Sequence, residues 1–148
     1  MDLYLINNKS ILRRLIINSN NLIKKWEKSP FYKLLNITVL EAKNDFARLK
    51  MNIEEKHLQF FKKVHGGAIA SLADSAAGWA VFGSTGVNYF ISTIEMKINY
   101  FTPVESGELI AEAKVVNKGN KIIVSDVEIN NNEQIVAKGL ITFYAKKK

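Results

Sequence analysis

The sequence predicts an α+β domain in which a curled antiparallel β-sheet wraps one long central helix, with a further helix ahead of it. Three observations carry this. The run Val64-His65-Gly66-Gly67-Ala68-Ile69-Ala70-Ser71-Leu72-Ala73-Asp74-Ser75-Ala76-Ala77-Gly78-Trp79-Ala80 is small or apolar almost throughout, so it reads as a helix covered on every side. The last third of the chain alternates apolar and polar residues over several short segments, the period of half-buried strands. The connections between those segments are short enough for hairpins, which join antiparallel neighbours.

Length and composition bound what the domain can be. The chain has 148 residues, 47% hydrophobic and 24% charged, which suits one soluble domain with a proper core. No apolar run is long enough to span a bilayer, and Met1-Asp2-Leu3-Tyr4 does not open like a secretory signal. The chain has no cysteine, which excludes disulfides, thiol nucleophiles and thiolate metal sites. The expectation is a cytoplasmic protein without membrane insertion. The formal charge is +7, but the lysines are scattered apart from Lys146-Lys147-Lys148. That pattern suits an anionic metabolite better than nucleic acid.

In chain order, residues 10–28 place Ile11, Leu12, Leu15, Ile16, Leu22, Ile23 and Trp26 on one helical face, with basic residues elsewhere and Ser29-Pro30 as a stop. This divides the chain into an amphipathic helical extension, 1–30, and a domain, 31–148. Residues 37–42 and 46–53 read as two strands joined at Lys43-Asn44-Asp45. Residues 54–63 are an irregular, polar approach to the central helix. Gly83-Ser84-Thr85-Gly86 marks a loop after it. Residues 92–101, 108–116, 121–129 and 134–145 are strands, separated at Thr102-Pro103, Lys118-Gly119-Asn120 and Asn130-Asn131-Asn132.

The central helix also carries the chemistry. Asp74 is its one carboxylate, and an ionised acid in an apolar helix needs a partner or a task. At the other end, Gly66 and Gly67 admit close approach, and the first helical amides have no partners within the helix. Amides that can stabilise an oxyanion and an acid that can activate water are two halves of a hydrolytic site. Gly67 and Asp74 are seven residues apart, about 10 Å along a helix, so one carbonyl cannot meet both. If both act, the acid comes from another copy across a two-fold interface. Other candidates fit less well. His65 braces the turn into the helix, and His57 is its only histidine companion, which does not make a metal site. Ser71 and Ser75 lack a histidine at triad spacing and read as packing residues. Trp79, Phe82 and Tyr89 are core aromatics or acyl-pocket walls.

Val64-His65-Gly66-Gly67, Asp74 nine residues after the histidine, and then Thr93-Ile94-Glu95-Met96-Lys97-Ile98-Asn99-Tyr100-Phe101-Thr102-Pro103 resemble the hotdog-fold thioesterases. The PaaI-like (phenylacetate-degradation) branch of acyl-CoA thioesterases is the nearest match, over about residues 31–144. The resemblance implies the hotdog fold and a homodimer or homotetramer. It implies an acyl-coenzyme A substrate and no cofactor beyond the coenzyme A of that substrate. It makes the Gly66 amide the oxyanion donor, Asp74 of the opposing subunit the base or nucleophile, and Thr93 a holder of the attacking water. Gln59 stands where the family usually has an asparagine that positions the nucleophile or substrate, one methylene longer. Phe60-Phe61-Lys62-Lys63 replace the small residues usual before the His-Gly-Gly. Substrate-binding candidates are His65 and Gly67 at the helix start, with Lys62, Lys63, Lys118 and Lys121 for the phosphates. These departures leave a non-catalytic acyl-CoA sensor as the alternative. A dehydratase of the same fold would need an acid–base set that the chain does not offer.

Overall fold

The computed structural model describes residues 21–148. The part of the expected first helix before residue 21 lies outside the described residues. Residues 21–27 are helical, and Leu22 and Ile23 pack against the core. The chain then breaks at Ser29 and begins a second helix, α1 (Pro30–Leu35). Ser29-Pro30 is therefore a junction rather than a plain stop. Pro30 opens α1, where its missing N–H is no loss and its fixed φ suits the first turn. Asn36 ends α1 in the left-handed conformation, φ 57°.

Strands β1 (Ile37–Lys43) and β2 (Phe46–Asn52) form a hairpin. Its turn residues Asn44 and Asp45 have φ of 50° and 66°, which Asn and Asp tolerate best after glycine and which matches the strand twist. A single 3₁₀ turn, Glu55–His57, lies within the irregular approach. Helix α2 (Gly66–Thr85) follows, then β3 (Tyr89–Tyr100), β4 (Glu108–Lys118), β5 (Ile122–Asn131) and β6 (Gln134–Lys147). The six strands make one antiparallel sheet in the order β1-β2-β4-β5-β6-β3. The sheet curls around α2, as the hotdog expectation requires. Leu72, Ala73, Ala76, Ala77 and Ala80 on the helix are fully buried, in one core with Leu49, Met51, Leu109, Ile129 and Ile141 of the sheet. Small residues on α2 let the concave sheet come close on all sides.

The structure corrects three local expectations. Residues 83–85 continue α2, and the loop begins only at Gly86, φ 81°. Gly83 is there for proximity: a Cβ would lie 3.2 Å from the Lys43 backbone, so the helix end can rest directly on the β1–β2 hairpin. The β5–β6 turn falls on Asn132 and Glu133, φ 49° and 66°, rather than on 130–132. Strand β3 starts at Tyr89, three residues early, and does not alternate throughout. Its register against β6 slips between Thr93 and Glu95, so Ile94 is an extra residue, a β-bulge.

Candidate active site

The bulge decides which side chains of β3 meet α2. Strict alternation would put Thr93 and Tyr100, an odd number of residues apart, on opposite faces of the sheet. The extra residue restores them to one face. Thr93 Oγ1 donates to Asp74 Oδ1 at 2.8 Å, and the Tyr100 hydroxyl donates to the Gly66 carbonyl at 3.0 Å. One strand therefore touches the helix at both candidate points.

At the amino end of α2, the first amides are almost all used. His65 is the N-cap in extended conformation, and its Nδ1 accepts from Gly67 N–H at 2.9 Å. The His65 carbonyl accepts from Ala68 and Ile69 at 2.9 and 3.4 Å. The Gly66 N–H alone has no acceptor among the described residues. It is the one unsatisfied donor at the positive end of a 20-residue helix, where anionic oxygen is favoured. Gly66 is closely approached, since a Cβ there would sit 3.3 Å from the Tyr100 ring and would require that ring to shift. Burial raises the pKa of the Tyr100 phenol, which keeps it a hydrogen-bond donor. Gly66 lines a 330 Å³ cavity with Gln59, Lys63, Ile69, Tyr100 and Pro103.

Eight residues further on, Asp74 is half-buried in the middle of the helix. Burial raises its pKa, and the Thr93 hydroxyl opposes part of that rise by stabilising the charged form. Asp74 and Thr93 line a second cavity, 230 Å³, whose other walls include Trp26, Tyr32, Trp79, Phe82 and Phe143. At 1.5 Å per residue, Gly66 and Asp74 are about 12 Å apart along the axis. They open onto different cavities of the same chain.

The remaining candidates are spread around these two points. Gln59 reaches the first cavity from a tight turn: its Oε1 accepts from Phe61 N–H, and its carbonyl accepts from Lys62 N–H at 2.9 Å. That turn carries Phe60 and Phe61 into solvent and brings Lys63 to the cavity, where it pairs with Glu105. Lys62 pairs with Glu55 at 3.2 Å. Lys118 lies at the opposite end of α2, where its Nζ donates to the Ser84 carbonyl at 2.6 Å, and Lys121 is exposed nearby on the β4–β5 connection. These two are not gathered with Lys62 and Lys63 in one chain. Ser71 returns its hydroxyl to the Gly67 carbonyl at 2.8 Å. His57 is buried, its Nδ1 accepting from Glu54 N–H at 2.9 Å, and desolvation lowers its pKa. Among the described residues no group of three His, Cys, Asp or Glu is placed to hold a metal, and no helix is long and apolar enough to cross a membrane.

Sequence reasoning did not single out Tyr100 and Trp26, which line the two cavities beside Gly66 and Asp74. Tyr100 reads as one of many alternating apolar positions, and nothing in its neighbours marks it as the residue that meets the Gly66 carbonyl. Trp26 reads as part of a helix outside the domain.

Comparison with known proteins gives the same assignment. The model of the thioesterase superfamily matches residues 61–138. The medium/long-chain acyl-CoA thioesterase YigI of Escherichia coli is 27% identical over 121 residues, 72% of this chain and 78% of that one. Among solved structures, the conserved protein PA5202 from Pseudomonas aeruginosa superposes with a TM-score of 0.78 at 29% identity, covering 80% of this chain and 94% of the other. The phenylacetic acid degradation protein PaaI from Thermus thermophilus, as a variant, gives 0.73 at 26% identity, with 78% and 98% covered. The chain, with its sheet curled about a glycine-headed helix, belongs to the thioesterase superfamily and is a thioester hydrolase.

Proposed function

We propose that the protein hydrolyses acyl-coenzyme A thioesters at two equivalent sites, each shared between two copies of the chain. The observation that carries this is the division of the catalytic pair. The open Gly66 amide and the Asp74–Thr93 pair lie about 12 Å apart on one helix and face separate cavities, so neither cavity alone holds an oxyanion donor and a base. A second copy related by a two-fold axis supplies the missing half to each. Strand β3 offers the joint. It is an edge of the sheet, twelve residues long, and Phe90, Ile94 and Met96 stand exposed along it. Long apolar edges of this kind are not left uncovered.

In this reading the thioester carbonyl oxygen lies against the Gly66 N–H of one copy. Asp74 of the other, as carboxylate, takes a proton from water while the water oxygen bonds to the carbonyl carbon. The charge gathering on the carbonyl oxygen is stabilised by the helix amide. Collapse breaks the C–S bond, and the proton held by Asp74 passes to the departing sulfur. The products are a carboxylic acid and the thiol. Thr93 keeps one carboxylate oxygen fixed so that the other points at water. A raised pKa makes Asp74 a stronger base than an ordinary carboxylate. The acyl-CoA relative YigI, the net charge, and Lys63 beside the Gly66 cavity support coenzyme A as the thiol.

The test is thiol release from acyl-coenzyme A substrates by mixed oligomers. Asp74→Ala and Gly66→Pro chains are each inactive alone. When they are co-expressed, half of random dimers are heterodimers with one intact site of two, giving about one quarter of wild-type activity. No recovery in the mixture places both groups in one chain's site. Binding of acyl-CoA by the wild-type protein without thiol release leaves a sensor instead of an enzyme.

A further inference from the structure

We infer that the aromatic cavity behind Asp74 receives the apolar tail of the acyl group, and that Trp26, contributed by the helix ahead of the domain, sets how long a tail fits. This rests on the acyl-thioester reading above and extends it to substrate choice. The cavity has the acid and Thr93 on one wall and apolar rings on the others. A tail bonded to a carbonyl held at Asp74 has this cavity directly beside it, because the two share a lining. Its 230 Å³ compares with the 150 Å³ that holds a benzene molecule. A chain of about eight carbons fills it, and a longer tail has to run out past Trp26.

Trp26 is held as a wall and not as a loose cover. Its ring meets Tyr32, Trp79 and Phe82 edge-on at centroid distances of 6.1, 5.9 and 5.8 Å, a favoured aromatic geometry. Next to it, the Glu27 carboxylate accepts from Val39 N–H at 2.9 Å, tying this helix to β1. Trp79 Nε1–H donates to the Tyr32 hydroxyl at 3.1 Å, so the inner ring is fixed as well. Trp26 itself is 39% exposed, which places it on the outer side of the cavity, where its removal lengthens the space. Gly78 lies on the floor. A Cβ there would meet Phe143 and Ile91 at 3.7 and 3.8 Å, ordinary contact distances, so a methyl group fits the fold and takes up cavity space.

The experiment measures kcat/KM for straight-chain acyl-coenzyme A from four to sixteen carbons. The wild type is expected to peak near eight and fall steeply beyond. Trp26→Ala is expected to shift the ratio of dodecanoyl to hexanoyl turnover about tenfold toward the longer chain, and Gly78→Ala about tenfold the other way, the range one pocket contact commands. Equal changes at all lengths in both variants overturn the inference while the hydrolytic reading stands. A second readout is independent of turnover. The chain has two tryptophans, and both line this cavity, so S-octyl-coenzyme A should change the protein's emission and coenzyme A alone should not. If wild type releases no thiol from any substrate but the octyl thioether changes emission, the hydrolytic reading fails and the tail site survives. Emission indifferent to the octyl chain refutes the site.

Discussion

The amino end of α2 and its middle solve different problems with different materials. At Gly66 the candidate group belongs to the backbone: three of the first four amides are tied up by His65, and the fourth is left open. At Asp74 the candidate group is a side chain, and its surroundings are Thr93 on β3 and rings from three helical segments. The backbone site is defined by small residues and needs little support from afar. The side-chain site depends on long-range packing for both its charge state and its shape. The two halves should therefore respond differently to mutation.

The largest expected effect is at Asp74. Replacing it by Asn or Ala should lower kcat about a thousandfold, the range for loss of a general base, with little change in assembly. The stability change should run the opposite way. Burial raises the folded pKa of Asp74 above its unfolded value, so the folded chain holds a proton the unfolded chain has lost. The stability from this group is complete below the unfolded pKa and is lost as pH rises through the folded one. At neutral pH the buried charge is a cost, and Asp74→Asn should raise Tm by a few degrees, as relieved active-site strain commonly does. A lowered Tm would show that Asp74 is a structural acid.

Gly66→Pro comes next. Proline is favoured at the first helical position and removes the N–H that no described residue uses, while its Cβ, 3.3 Å from the Tyr100 ring, asks that side chain to give by a few tenths of an ångström. Losing one oxyanion donor should reduce kcat by about a hundredfold or more, with circular dichroism close to wild type. Retained activity would move the oxyanion site away from the helix start.

Much of this contrast can be read in the chain, and the unequal part has physical causes. The small-residue helix, the lone acid and the double glycine are local patterns, so the fold and the two candidate points can be read from residues 64–80 with the strands behind them. The extent of α2 is not local. Gly83 and Gly86 look alike in sequence, yet one makes a close contact with Lys43 and the other ends the helix. The bulge at Ile94 carries no glycine or proline and arises from pairing with β6, so alternation alone assigns Thr93 to the wrong face. The resemblance to thioesterases singles out Thr93 without explaining how it reaches Asp74. Trp26 lines the Asp74 cavity because the helical segment before Ser29 packs back against α2.

Thr93 sharpens the comparison on the pH axis. Its hydroxyl donates to the Asp74 carboxylate and holds the pKa of that group down against burial. Thr93→Ala removes this donor, so the Asp74 pKa should rise further. Because the base works only when ionised, the acid limb of the kcat/KM profile should move to higher pH, with a loss of up to about tenfold near neutrality from a hydrogen bond to a charged group. Thr93→Ser keeps the donor and should restore the wild-type limb. An unshifted limb in the alanine variant would mean that Thr93 only packs.

The smallest expected effect is at Tyr100, which touches the backbone half. Tyr100→Phe removes the hydroxyl that donates to the Gly66 carbonyl at 3.0 Å and leaves the ring that crowds Gly66. The carbonyl is partly exposed and can turn to water, so the stability loss should stay near 1 kcal/mol or below. The amide whose direction matters is on the nitrogen side of Gly66, one rotation away from the lost bond. A loosened peptide samples misaligned positions and should lower kcat a few-fold without raising KM, and without moving either limb of the pH profile. That last condition separates the two halves of the site. A Tyr100→Phe variant that shifted the acid limb would couple Tyr100 to Asp74, and the two ends of α2 would no longer be independent in one chain.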